Sequence, residues 1–346
     1  MPVQTDPKNV MGAAVVTGHG GLDKIVYRDD YPRPQIGARD VLVRVRATAL
    51  NYHDIFTRRG MPGIRIPLPV ITGSDMAGEI VEVGEDVESW AVGDRVLIDP
   101  ALNDDDIVGL MGEITDGGRA QFLRARDYQL IRLADSITFE EAAALPLAYG
   151  TAHKMMFSVG KVTAGEKVLV LGASGGVGVA CVQLAKAVGA EVVACASTGE
   201  KLDRLKALGA DHLVNYAEQD FMRAVHDTVG RPRVFGTGGV DVVVNFTGGD
   251  TWAPSVRCLK VGGRLLNCGA TAGYDVTMDL RYIWTFGLRI IGSSGWTRED
   301  LTTLLEMVAQ SRLAPVIDCS LPLDQAREAE AMMEDRRFFG KILLAP

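Results

Sequence analysis

The run Lys167-Val168-Leu169-Val170-Leu171-Gly172-Ala173-Ser174-Gly175-Gly176-Val177-Gly178 restricts the fold more than any other stretch of the chain. A short apolar strand enters a glycine-rich turn, and an apolar helix, Val179 to Lys186, leaves it. Without Cβ atoms the backbone turns tightly and can approach a pyrophosphate. The N-terminus of the following helix offers unpaired N–H groups and a partial positive charge to an anion. Ala173 stands where the first glycine of G-x-G-x-x-G would be. Taken alone, the loop is therefore either a dinucleotide cradle or only a tight turn.

The surrounding pattern bears on that choice. From about residue 138 strands and helices alternate. Thr138 before Phe139-Glu140-Glu141 reads as an N-cap with acids in the first turn. Apolar strands are expected at 167–171, 191–196, 213–216, 240–246, 264–268 and 288–292, with helices at 177–188, 200–208 and 221–229 between them. Continuous apolar strands separated by helices imply a parallel sheet covered on both faces, the doubly wound α/β class.

Residues 11–135 read differently. Short strand candidates such as Asp40–Ala47, Ala77–Gly84 and Gly93–Ile98 are punctuated by prolines, as in a compact, barrel-like β domain. A tail from about 300 adds a helix, a strand, a helix and a last strand, and is expected to rejoin that domain. Division at 1–137 with 300–346, against 138–299, follows. A length of 346 residues suits about two domains.

Composition excludes other classes. A net charge of -8 argues against a general nucleic-acid surface. Five cysteines, odd in number and without a C-x-x-C pair, argue against a disulfide framework or zinc knuckle and for a reducing cytoplasm. No apolar run reaches the ~18 residues of a membrane helix. Met1 to Val10 is polar, reads as a loose extension, and lacks the segments of a signal peptide.

Several separated stretches match one family in order: Asn51-Tyr52-His53-Asp54, Gly73-Ser74-Asp75, Val92-Gly93-Asp94-Arg95-Val96, Ala142-Ala143-Ala144-Leu145-Pro146, Gly172 to Gly178, Thr247-Gly248-Gly249 and Phe339-Gly340-Lys341. Over nearly its whole length the chain resembles the medium-chain dehydrogenase/reductase superfamily. That resemblance implies a GroES-like catalytic domain built from both chain ends, a Rossmann domain between them, and an active site in the cleft. It also implies a dimer, or a dimer of dimers, through the last Rossmann strand near 288–294.

Zinc-dependent relatives carry cysteine, histidine and glutamate where this chain has Asn51, Ser74 and Asp75, and a further ligand falls near Leu147. Asn51, Ser74 and Leu147 do not supply the thiolate, imidazole or carboxylate that zinc prefers. The segment Asn103 to Glu113 has no cysteines for a structural zinc lobe. The chain thus resembles the zinc-lacking branch of quinone oxidoreductases and enoyl reductases. Thr271-Ala272-Gly273-Tyr274 and Asp279 to Trp284 lean toward crotonyl-CoA and acryloyl-CoA reductases. Ser294 replaces the histidine of carboxylating relatives, and Met61 the proton-donating tyrosine of mitochondrial enoyl-thioester reductases.

The resemblance assigns the cofactor to Ala173, Ser174, Gly175, Gly176, Val177, Gly178, Ser197, Thr198, Lys201, Tyr216, Thr247 and Gly269. Ala196 stands where NAD-preferring members carry an acid, which leaves room for a 2′-phosphate near Ser197, Thr198 and Lys201. NADPH is therefore expected over NADH, with no metal. On the catalytic side, Asn51 and Tyr52 are candidate oxyanion donors, His53 a candidate proton donor, and Ser74 a substrate contact or turn residue. Asp54 is read as supporting the fold, and Glu113 as a weaker candidate. Arg58, Arg59 and Arg65 form either a basic mouth for an anionic substrate such as an acyl-CoA or a solvated face. The expected activity is zinc-independent hydride transfer to a conjugated acceptor: a quinone, an enal or enone, or an enoyl-CoA. A non-catalytic NADPH-binding sensor or structural protein is the alternative reading, and alcohol dehydrogenase-type activity a lesser one. No nucleic acid or membrane partner is expected.

Overall fold

The structure is a computed structural model and describes residues 9–61, 63–104 and 107–346. Most of the stretch read as a loose extension, Met1 to Val10, lies outside these residues, and a strand begins at Val10. The chain divides into two compact units, Met1–Leu147 with Leu301–Pro346, and Ala148–Asp300. Helix Phe139–Ala143 is closed by reciprocal bonds between Thr138 and Glu141. It packs on strands Asp40–Ala49 and Asp75–Val83. That packing carries the first unit on to Leu147, past the change of pattern at 138.

The first unit is built on a seven-stranded sheet. Strand Asp40–Ala49 pairs antiparallel with Asp75–Val83 on one side. On its other side it pairs with Phe122–Arg126 and, further along, with the C-terminal strand Lys341–Ala345. Burial of Val41, Val43 and Val45 beside exposed Arg44 and Arg46 is the alternation of a half-buried strand. The register sets Asp75 opposite Ala49 and Leu343 opposite Ala49. Three distant stretches thereby meet at the end of one strand, where the chain turns at Leu50 into helix Tyr52–Arg59. A second sheet of three strands and a hairpin, Ala101–Asp104 with Ile107–Leu110, complete the β structure.

The second unit carries six parallel strands. Their spatial order is His212–Asn215, Glu191–Ala196, Lys167–Val170, Val240–Val244, Leu259–Asn267 and Arg289–Gly292. In sequence this is third, second, first, fourth, fifth, sixth, the dinucleotide-fold order with its crevice between the first and fourth strands. Leu169, Val193, Val243 and Leu265 are fully buried in one cluster, so the interior strands need no polar alternation.

Candidate functional site

In the second unit the loops after successive strands emerge at one edge, because every strand pair is parallel. Residues scattered over a hundred positions therefore gather there. Ala173 to Gly178 follow the first strand, Ser197 and Thr198 the second, Tyr216 the third, Thr247 the fourth and Gly269 the fifth. The Ala173 N–H donates to Cys195 O at 3.0 Å, and the Tyr216 N–H to Ala196 O at 3.1 Å, tying neighbouring loops together. Helix Gly176–Val188 starts from Gly175, and its first N–H groups have no partner within the helix. A Cβ on Gly178 would lie 2.3 Å from Gly172 O, so only glycine lets the helix seat against the loop. A Cβ on Gly175, by contrast, would meet nothing nearer than Gly172 O at 3.7 Å. That side of the loop is open to a ligand.

Ala196 is fully buried at the end of the second strand. Thr198 caps helix Gly199–Ala207, its Oγ1 accepting from the Lys201 N–H at 3.3 Å. The hydroxyl expected to serve a phosphate thus also serves the fold, which leaves its O–H to donate. One residue that the sequence reading passed over organises the loop after the fourth strand. Asn245 is fully buried, its Oδ1 accepts from Thr247 and Gly248 N–H at 3.0 Å each, and its Nδ2 donates to Ser255 Oγ at 2.9 Å.

In the first unit the central cluster is Asn51, Lys341 and Asp75. Lys341 Nζ donates to Asn51 Oδ1 at 2.6 Å, to Asp75 Oδ2 at 2.9 Å and to Leu50 O at 2.8 Å. Asp75 Oδ1 accepts from the Leu147 N–H at 2.7 Å. Asn51 Nδ2 is buried and makes no hydrogen bond among the described residues. Burial pushes the Asp75 carboxyl up, against the pull of Lys341 and the Leu147 N–H. The sequence reading noted Lys341 only within a family motif. Its signal, a lysine opening the last strand, gives no hint of its burial.

His53 Nε2 donates to Glu113 Oε2 at 3.2 Å. Burial works to lower the His53 pKa, but the hydrogen bond and charge of Glu113, helped by Asp54, raise it. Glu113 sits on the turn Met111–Thr115, which Gly112 enters at φ +82° with its Cα side against the Gly73 backbone. Ser74 Oγ donates to Met111 O at 2.8 Å, so this fully buried hydroxyl holds the turn that carries Glu113. Tyr52 is half-buried, its ring edge-on to Phe56 at 5.3 Å.

The basic mouth does not form as read. Arg58 is fully buried and bonded to Glu330 Oε2 at 2.7 Å, to Glu334 and to Gly20 O. It faces the C-terminal helix Ala326–Glu334 because those carboxylates complete a buried network with Arg119 and Asp54. Arg59 pairs with Glu334 at 2.9 Å, and Arg65 is exposed without a pairing of this kind among the described residues. Asp54 is a structural hub, its oxygens accepting from Asn51 and Gly73 N–H groups at 2.7 and 3.1 Å.

Among the described residues no three His, Cys, Asp or Glu side chains group as a metal site, and no helix is long and apolar enough to cross a membrane. All five cysteines are unpaired.

Comparison with known proteins adds the following. The alcohol dehydrogenase GroES-like domain family matches residues 37–135, and the zinc-binding dehydrogenase family residues 176–310. Crotonyl-CoA carboxylase/reductase of Cereibacter sphaeroides is 30% identical over 91% of this chain and 82% of its own. Acryloyl-coenzyme A reductase of Sulfurisphaera tokodaii is 28% identical over 92% of this chain and 96% of its own. Among solved structures, an NAD-dependent alcohol dehydrogenase superposes with a TM-score of 0.89 at 35% identity, over 97% of this chain and 100% of that one.

Proposed function

The chain belongs to the medium-chain dehydrogenase/reductase superfamily, a family of oxidoreductases, and on that premise we propose that it is a zinc-independent, NADPH-dependent reductase of conjugated acceptors, with enoyl-CoA thioesters favoured over quinones and enals. The observation that carries this reading is the Asn51–Lys341–Asp75 cluster. Two positions where the resemblance puts zinc ligands, Asn51 and Asp75, already spend their oxygens on a buried ammonium. The third, Ser74, spends its hydroxyl on Met111 O. A zinc ion would meet a resident cation and a donor set without thiolate or imidazole, so this set does not suit it.

A site without a Lewis acid suits a substrate that spreads charge by itself. In an enoyl thioester the negative charge arising at the β carbon's reduction is delocalised to the carbonyl oxygen. When bound, NADPH supplies the hydride. Asn51 Nδ2, fixed by Lys341 at the other end of the amide, is the donor for the developing oxyanion, and Tyr52 is a second. The open glycine loop and helix N-terminus of residues 172–178 hold the pyrophosphate. Ala196, Ser197, Thr198 and Lys201 accommodate a 2′-phosphate where an acid would repel it.

The acyl-CoA reductases among the relatives favour the thioester class. The edge strand Arg289–Gly292, with exposed Trp284, Leu280 and Ile290 nearby, supports pairing with a second copy as a homodimer or dimer of dimers. Free cysteines fit a cytoplasmic setting. The test is NADPH oxidation against matched panels of crotonyl-CoA, quinones and enals. Turnover led by crotonyl-CoA supports the reading, whereas NADPH binding without turnover on any acceptor favours a sensor or structural protein.

A further inference from the structure

Reduction of a conjugated acceptor needs a proton as well as a hydride. We infer that the His53–Glu113 pair is the proton source, with His53 Nδ1 delivering the proton and Glu113 acting as the positioning residue that keeps His53 oriented and charged. This inference rests on the reductase reading above.

Glu113 is nearly buried, and His53 is the one cation within bonding reach of its carboxylate among the described residues. Its other oxygen, Oε1, is buried without a hydrogen bond among the described residues. A carboxylate so placed is costly unless its charge is balanced, so it favours the imidazolium over the imidazole. The second nearby acid, Asp54, adds to that preference. Because a carboxylate only accepts, the Glu113 contact fixes the proton on Nε2. Nδ1 has no hydrogen-bond partner among the described residues and is the end left for chemistry. The His53 side chain keeps 24% of its exposure, enough for water to recharge it. The dyad is also built deliberately. Ser74 clamps the Met111 carbonyl of the turn that presents Glu113, and Gly112 holds that turn's left-handed corner.

The step balances. After the β carbon has received the hydride, the alkene π pair resides on the enolate. The Nδ1–H bond of His53 breaks, its proton forms the new bond at the α carbon, and the N–H electron pair stays on the ring. Saturated thioester, oxidised nicotinamide and neutral His53 result, and water returns the proton to Nδ1. Glu113 is unchanged throughout.

The experiment compares wild type, His53→Gln, Glu113→Gln and Glu113→Asp on crotonyl-CoA. His53→Gln should lower kcat by about 10²–10⁴-fold. In D₂O it should also lose facial selectivity of deuterium entry at the α carbon. Glu113→Gln should move the alkaline limb of the kcat profile to lower pH, so that its deficit grows by about tenfold per pH unit between the variant's limb and the wild type's and is constant above both. Glu113→Asp, which keeps the charge, should restore much of the rate. An NMR titration of His53, independent of turnover, should show a lower pKa in Glu113→Gln. The dyad is overturned if wild type turns over while His53→Gln keeps its rate and facial selectivity, or if Glu113→Gln leaves the His53 titration in place. If Glu113→Gln does not fold, Glu113→Asp and the wild-type titration decide the same point: a wild-type His53 titrating at or below the ordinary histidine value overturns it. A wild type inert toward every conjugated acceptor sinks the reductase reading instead, whatever His53 titrates at.

Discussion

Lys341 Nζ lies 2.6 Å from Asn51 Oδ1, although 290 residues separate them. An ammonium can only donate, so this contact settles which end of the amide faces it and leaves Nδ2 as the donor without a hydrogen bond among the described residues. The fold makes the contact possible by inserting strand Lys341–Ala345 beside Asp40–Ala49. A residue of the last strand thereby orients one at the entrance of the first helix.

Lys341→Met should therefore cost both stability and rate. It leaves the Asp75 carboxylate buried and unpaired, a loss of about 3–5 kcal/mol, and it frees the Asn51 amide to turn. Lys341→Met combined with Asp75→Asn should recover most of the stability in thermal melts. It should not recover kcat. Recovery of both would show that Lys341 only balances charge.

Asn51→Ala should lower kcat by about 10²–10³-fold, the effect of removing one oxyanion donor. The Kd for NADPH, measured by fluorescence, should stay the same. A weakened Kd with unchanged kcat would take Asn51 out of the chemistry.

If the charge of Lys201 serves the 2′-phosphate that NADH lacks, as proposed, Lys201→Ala should raise the Kd for NADPH by about tenfold while leaving NADH nearly unaffected. Equal losses for both cofactors would contradict that assignment.

Arg58 and Glu330 predict a purely structural result. Both are fully buried, so Glu330→Gln should destabilise the protein by about 3–5 kcal/mol. The KM for crotonyl-CoA should not change, since the arginine faces helix Ala326–Glu334. A salt-dependent rise in that KM would return Arg58 to the substrate.

The raised His53 pKa gives a pH dependence with a definite sign. A histidine whose folded value exceeds its unfolded one stabilises the protein fully below the unfolded value, about 6.5. That stabilisation is lost as pH rises through the folded value. Melts of wild type should thus lose ground to His53→Gln above about pH 6.5. A constant difference across that range would mean that Glu113 does not hold the ring charged.

What the sequence revealed follows from the range of each interaction. The parallel sheet was readable because continuous apolar strands such as Val240–Val244 need no partner to identify them. The glycine loop was readable because its strand–turn–helix order is local. Arg58 was misread because its partners, Glu330 and Glu334, lie on a distant helix whose charges look solvated in the chain. Glu113 and Lys341 gained their weight only when the fold brought them to His53 and Asn51. Asn245 looked like the last residue of a buried strand, and its four-way bonding depends on the loop folding back over it.

The central claim is hydride transfer to a conjugated acceptor without zinc. The most direct measurement is NADPH oxidation with crotonyl-CoA by protein whose zinc content is assayed before and after treatment with a strong chelator. Zinc should be sub-stoichiometric throughout, and the rate undiminished after chelation. Stoichiometric zinc whose removal abolishes turnover, and whose return restores it, would contradict it.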